Sequence, residues 1–282
     1  MARLGINQYG KAETHLVRVY RDGAEHELRD LTVSVALSGA LEAVHLEGDN
    51  SAVLATDTQK NTVYAFAKEH PIESPEAFAG RLARHFLGGP ITRARVVVAE
   101  ALWTRLSDHA FTQSVREQRI AMVVAEADRT FVASGIAGLV VLKTTDSEFH
   151  GFPRDRYTTL QETTDRVLAT EVSARWRHDG EADFDTARRA LLDTFAAHHS
   201  LSLQQTLYAM GEAVLDACPS VEEIRLSMPN LHHFVVDLSP FGLENPNEVF
   251  HADDRPYGLI EAAVHAIDAP PAGPAWNPYP LL

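Results

Sequence analysis

With 282 residues, 45% of them hydrophobic, the chain is long enough for two ordinary domains or one large barrel-like unit around a packed core. A formal charge of −14 argues against a general nucleic-acid or anionic-membrane surface, because phosphates would be repelled at long range. The single cysteine, Cys218, excludes an internal disulfide framework and a cysteine-rich zinc module.

In chain order, residues 15–20 and 31–37 read as two β-rich runs joined through Asp22-Gly23, the chemistry of a hairpin or short loop. A helix follows towards His70, with Thr56 or Asp57 as its expected cap. Ser74-Pro75-Glu76 is a strong start signal: a hydroxyl cap, proline in the first turn and an early carboxylate. Phe78, Leu82 and Phe86 then recur every four residues, and Gly88-Gly89-Pro90 stops the helix. Further β-rich runs cover 95–106, 119–128 and 131–143.

Residues 144–166 form a long irregular link dense in aromatics, hydroxyls and charge, and loops of that kind often carry function. Beyond it, Leu168, Thr170, Val172, Ala174 and Trp176 alternate as in a half-buried strand. A helix is predicted over 183–198, with Phe184, Ala187, Leu191 and Phe195 on one face. Ser202 and Gln205 have capping-box spacing ahead of a second helix, whose face is Leu203, Leu207, Met210 and Val214. Cys218 falls in that apolar pattern as a small core residue. Ile224, Leu226 and Met228 resume period two in a final β region. The order is strand, strand, helix, helix, strand, strand, twice over. That order predicts an α+β class with antiparallel sheets and helices on one face, closure into a barrel with other subunits being one way to use the other face.

Familiar chemistry is absent. There is no Gly-x-Gly-x-x-Gly after a strand, no P-loop, no His-Glu-x-x-His and no Gly-x-Ser-x-Gly. The fourteen histidines are dispersed; His198-His199 at a helix end reads as a solvated cap that meets the favourable end of the dipole. In Leu231-His-His-Phe-Val235, strand alternation sends His232 and His233 to opposite faces, so one metal ion cannot readily take both. Taken alone, Lys11 is a surface lysine, and Thr56 and Asp57 are helix caps.

Seven stretches in unbroken order resemble the urate oxidase (uricase) family, bacterial type. They are Tyr9-Gly-Lys11, Ala55-Thr-Asp-Thr-Gln-Lys-Asn-Thr62, Glu148-Phe-His-Gly-Phe-Pro-Arg-Asp155, Tyr157-Thr-Thr-Leu-Gln-Glu-Thr-Thr-Asp-Arg166, Gln204-Gln-Thr-Leu-Tyr208, Met228-Pro-Asn-Leu-His-His-Phe234 and Asp254-Arg-Pro-Tyr-Gly-Leu-Ile260. The resemblance implies tandem T-fold (tunnelling-fold) domains, expected over residues 7–143 and 144–268, followed by a proline-rich tail at 269–282. It also implies a homotetramer whose sheets close into a tunnel-shaped barrel with active sites at subunit interfaces. The implied reaction is oxidation of urate by dioxygen and water to 5-hydroxyisourate and hydrogen peroxide, with no metal and no organic cofactor.

Carried over by position, Lys11, Thr56 and His232 are the proton relay. Arg166 and Gln204 clamp the purine edge, Phe149 stacks on it, and Leu160 and Leu203 line the pocket. Asn230 with Thr56 holds dioxygen or water, and Asp57 presents its backbone to the ligand. A guanidinium fork and an amide suit adjacent donors and acceptors, and a hydroxyl can donate and accept at once. The alternatives are another T-fold enzyme acting on a purine or pterin, or a purine-binding tetramer without catalysis. Neither nucleic acid nor membrane is expected as a partner. No run approaches the ~18 apolar residues of a membrane span. With neither a signal peptide nor a peroxisomal Ser-Lys-Leu address in view, the cytoplasm is the expected location.

Overall fold

The structure is a computed structural model, and it describes residues 2–113, 116–180 and 182–276. Contact density divides the chain into a first unit, Met1–Gly135 with Arg177–Asp179 and Pro270–Leu282, and a second, Ile136–Trp176 with Gly180–Ala269.

In the first unit β1 (Tyr9–Tyr20), β2 (Glu27–Gly39), β3 (Ile91–Ala101) and β6 (Gln118–Glu126) pair antiparallel in that order. A two-residue pair, β4 (Thr104–Arg105) with β5 (Phe111–Thr112), interrupts the path between β3 and β6. β1 begins before its expected limit and β2 runs past both of its limits, because ladder hydrogen bonds continue beyond the apolar runs. Leu31, Val33, Val35 and Leu37 alternate inward on β2 and meet Ala94, Val96 and Val98 of β3. Helix α1 (Glu42–Leu46), a single unpredicted turn with no buried residue, precedes α2 (Thr56–Glu69) and α3 (Pro75–His85). Ser74 caps α3 as expected, its hydroxyl accepting the Ala77 N–H, and Phe78, Leu82 and Phe86 fill the core. At roughly 1.5–3 kcal/mol per large buried apolar side chain, that face holds α3 to the sheet.

The second unit repeats the plan. It contains β7 (Thr130–Lys143) from Ile136 onward, β8 (Leu168–His178) up to Trp176, α4 (Phe184–Ala197), α5 (Leu203–Ala217), β9 (Val221–Val235) and β10 (Phe250–His265). The division at Gly135 precedes the limit expected at Lys143, since Ile136 and Leu139 pack into the second core. Phe184, Ala187, Leu191 and Phe195 of α4 join Leu203, Leu207, Met210 and Val214 of α5, the faces that periodicity predicts. Asp183 and Ser202 cap the two helices through the Thr186 and Gln205 N–H groups. The second helix departs from a capping box: the Gln205 amide oxygen accepts from Leu201 N–H, one residue earlier than the cap itself. Gly211 lets α5 close on β10, because a Cβ there would lie 2.6 Å from Val264. Cys218 is buried at the end of α5, and burial raises its thiol pKa, consistent with a small core residue.

From Pro270 onward the described part of the proline-rich tail belongs to the first unit. Arg95 donates to the Pro274 and Trp276 carbonyls, and Arg177 donates to that of Pro270. Burial, followed by the charge of Arg93, lowers the Arg95 pKa to about 10. Residues 277–282 of the tail lie outside the described residues. Among the described residues no helix is long and apolar enough to cross a membrane.

Candidate active site

The candidate residues divide between the two units. Lys11, Thr56 and Asp57 lie in the first, and Phe149, Leu160, Arg166, Leu203, Gln204, Asn230 and His232 in the second.

In the first unit Lys11 pairs with Val35 across β1 and β2, and the register shifts immediately afterwards, between Lys11 and Thr14. Such a bulge re-aims the side chains beside it. Glu13 sits inside it at φ 54°, its N–H donating to the Ser34 hydroxyl at 3.0 Å. Before Lys11, Gly10 has no alternative: a Cβ there would lie 1.8 Å from the Val35 carbonyl oxygen. Thr56 and Asp57 are the first two residues of α2, not its caps. The N-cap is Ala55, which has no hydroxyl or carboxylate to offer, so no side chain caps this helix. The Asp57 carboxylate turns to its own helix instead, binding Lys60 Nζ at 2.5 Å and Asn61 Nδ2 at 3.1 Å. Lys60 first, and more weakly the charge of Lys11, hold the Asp57 carboxyl below the usual range. Among the described residues neither the Lys11 ammonium nor the exposed Thr56 hydroxyl is engaged in a hydrogen bond.

In the second unit Phe149 and Arg166 meet without a helix or long strand to place them. Phe149 and Thr163 exchange both backbone hydrogen bonds, at 2.8 and 3.0 Å. Arg166 donates its N–H to the Ser147 carbonyl at 2.9 Å and its Nε–H to the Ser147 hydroxyl at 3.3 Å. The guanidinium carbon then stands 5.2 Å from the centre of the Phe149 ring, a cation–π distance. Partial burial lowers the Arg166 pKa, but a guanidinium stays charged across the working range. Phe152 stacks on Phe149 at 5.0 Å and 17°.

The same segment is stitched to the approach of α5. Glu148 N–H donates to the Ser200 carbonyl at 2.7 Å, and Ser200 N–H to that of Asp146 at 2.9 Å. The Glu148 carboxylate binds His199 Nε2 at 2.5 Å and His150 Nε2 at 2.8 Å. His199 is therefore more than a solvated helix end. Its pKa is raised, chiefly by the hydrogen bond to Glu148, whose own pKa is lowered chiefly by His199 and then His150. Gln204 is exposed on the first turn of α5, while Leu203 beside it is 3% exposed and packed in the core. Leu160 is half-exposed on the irregular link, its carbonyl accepting from Arg154.

Asn230 and His232 continue on β9 the alternating row of buried Ile224, Leu226 and Met228, so the apolar row turns polar at Asn230. Thr170 anchors this point, its hydroxyl donating to the Pro229 carbonyl at 2.8 Å. Asn230 pairs with Gly258 and His232 with Asp253 of β10, and the register shifts between those two pairs. The His232 ring stacks on Phe234 at 5.6 Å. His233 faces elsewhere, with Nδ1 3.0 Å from the Leu231 carbonyl and its ring edge-on to Phe250. Among the described residues no group of three or more His, Cys, Asp or Glu could hold a metal ion.

Motif reading passed over two supports. Tyr9 and Gln59 both hold Leu54, just ahead of Thr56: the Tyr9 hydroxyl accepts the Leu54 N–H, and Gln59 donates to the Leu54 carbonyl. Gln59 carried a visible signal, since it occupies the same four-residue row as Val63 and Ala67, the buried face of α2. A polar residue on an apolar stripe needs a partner.

A family model described as Uricase matches residues 7–130 and 132–261. The uricase of Arthrobacter globiformis is 53% identical over 283 residues, 97% of this chain and 93% of that protein. The uricase of Aspergillus flavus is 36% identical, covering 94% of this chain and 97% of its own. A crystal structure of the Arthrobacter globiformis uricase superposes with a TM-score of 0.93 at 52% identity, covering 98% of this chain and 99% of that one. The urate oxidase of Bacillus sp. TB-90 shares the fold at a TM-score of 0.81 and 23% identity, covering 93% and 100%. The architecture is thus α+β in tandem T-fold domains, and the matched span takes in most of both units. The chain belongs to the uricase family.

Proposed function

We propose that the chain oxidises urate with dioxygen and water to 5-hydroxyisourate and hydrogen peroxide, using no metal and no organic cofactor. The observation that carries this reading is the pairing of the Arg166 guanidinium with the Phe149 ring inside a family match that spans both units. A flat anion needs a flat apolar platform and a planar cation, and on a chain of charge −14 that cation must be specific.

Arg166 and Gln204 hold the purine edge, Phe149 stacks on the ring, and Leu160 and Leu203 bound the pocket. Lys11, Thr56 and His232 move protons away from the substrate, while Asn230 and Thr56 hold dioxygen or water; Asp57 offers its backbone. Dioxygen is a triplet and reacts slowly with closed-shell molecules. Deprotonated urate is electron-rich enough to give up two electrons itself, so the substrate takes the role usually left to a cofactor. Those electrons reduce dioxygen to hydrogen peroxide, and water supplies the hydroxyl oxygen of the product.

Lys11 and Thr56 belong to the first unit, and Phe149, Arg166 and His232 to the second. We assign these groups to a composite site built between subunits of a homotetramer, with domains at residues 7–143 and 144–268, and the protein to the cytoplasm. The deciding assay uses chelator-treated protein: near-ultraviolet bleaching of urate, oxygen uptake and peroxide release are expected together. Folded protein that leaves urate unbleached rules the proposal out.

A further inference from the structure

Strand β1 laces helix α2 along its length. At one end the Tyr9 hydroxyl accepts the Leu54 N–H at 3.0 Å, and at the other the Tyr20 hydroxyl accepts the Ile72 N–H at 2.7 Å. Between them Tyr64 of α2 donates its hydroxyl to the His15 carbonyl at 3.3 Å. The two end braces are chemically alike but serve different places: Tyr20 holds the chain beyond α2, and Tyr9 holds the approach to Thr56.

No side chain caps α2 at that approach, because its N-cap is Ala55. Instead both backbone polar groups of Leu54 are held, the N–H by Tyr9 and the carbonyl by Gln59 Nε2 at 3.2 Å. Gln59 is fully buried, so its end of the clamp is rigid. Tyr9 is likewise held, because Gly10 presses β1 onto the Val35 carbonyl and the bulge fixes the backbone just beyond Lys11. Leu54 lies two residues before Thr56 and Tyr9 two before Lys11, so this hydrogen bond is a short through-structure link between them.

We propose that Tyr9 is a positioning residue for proton transfer, its hydroxyl setting the Leu54–Thr56 turn against the strand that carries Lys11. The inference rests on the Lys11–Thr56–His232 relay proposed above. Burial raises the Tyr9 phenol above its usual 10, so it remains a neutral hydroxyl across the working pH range.

The test is a steady-state comparison of Tyr9→Phe, Tyr20→Phe, Lys11→Ala and Tyr9→Phe/Lys11→Ala. Losing one hydrogen bond that aligns reacting groups lowers kcat about fivefold in Tyr9→Phe with KM for urate within about twofold. Tyr20→Phe, which removes an equivalent brace, keeps wild-type kcat. In the double variant Tyr9→Phe causes no further loss, because there is no longer a Lys11 to position. An equal kcat loss in Tyr20→Phe, or an undiminished Tyr9→Phe effect without Lys11, overturns the proposal. If Lys11→Ala is slow while Tyr9→Phe is as fast as wild type, only the Tyr9 role fails. If Lys11→Ala itself keeps full kcat, the relay fails and this inference with it.

Discussion

The two units hold their candidate residues by opposite means. In the first, Lys11 and Thr56 stand on a strand and at a helix start, placed by Gly10, a bulge and the ladder between β1 and β2. In the second, Phe149 and Arg166 stand at the two ends of an irregular link, placed by backbone hydrogen bonds to Thr163, Ser147 and Ser200 and by a carboxylate between two histidines. One half is held by groups that do not titrate near neutral pH. The other is held partly by groups that do, so conditions that leave the first half intact loosen the second.

The sharpest way to separate the halves is by which kinetic constant falls. Lys11→Ala removes the proposed proton acceptor, so kcat drops by roughly 100-fold or more with little change in KM. Arg166→Ala removes a charge-assisted contact worth about 1.5–3 kcal/mol, so KM for urate rises by roughly 10- to 100-fold. Steady-state kinetics check both, and a reversal of the two patterns would exchange the roles of the halves.

Gly10→Ala attacks the rigidity of the first half. Its methyl group must displace the Val35 carbonyl, at an expected cost of about 1–3 kcal/mol, read as a lower thermal midpoint. The same change at Gly151, where a Cβ meets nothing within 4 Å but φ is +74°, probes backbone strain alone in the second half.

The smallest effect is the pH response of the segment around Phe149. His199 has a raised pKa, so its contribution is complete below its ordinary 6.5 and is lost as pH rises through the raised value. Glu148 has a lowered pKa, so its contribution is complete above its ordinary 4.5 and is lost as pH falls through the lowered value. Asp146, 3.7 Å from His199 Nδ1, supports the same protonated state. Amide exchange at Glu148 and Phe149, corrected for chemical rates, should therefore be slowest between those two values and quicken above the upper one. Glu148→Gln should flatten the profile, while amides of β1 respond to neither change.

Much of the frame was legible beforehand. Ser74 and Ser202 cap their helices, and α3, α4 and α5 bury the faces that four-residue spacing picks out, because capping and amphipathicity act over a single turn. The separation of His232 from His233 was legible too, since alternation is a property of one strand. Thr56 misled, because a hydroxyl just before an apolar row looks like a cap, whereas the helix begins one residue earlier and Ala55 takes that place. His199 misled similarly, for its partner Glu148 lies 51 residues away.

By itself the sequence determined the repeated strand, strand, helix, helix, strand, strand order, the apolar faces and the motifs that carry the family resemblance. These depend on sterics and burial patterns repeating every two to four residues. Only the tertiary structure decided that a bulge comes directly after Lys11, that Tyr9 reaches Leu54 across 45 residues, and that Arg166 comes to rest over Phe149. Those contacts depend on the path of the backbone between distant segments, and no local periodicity records that path.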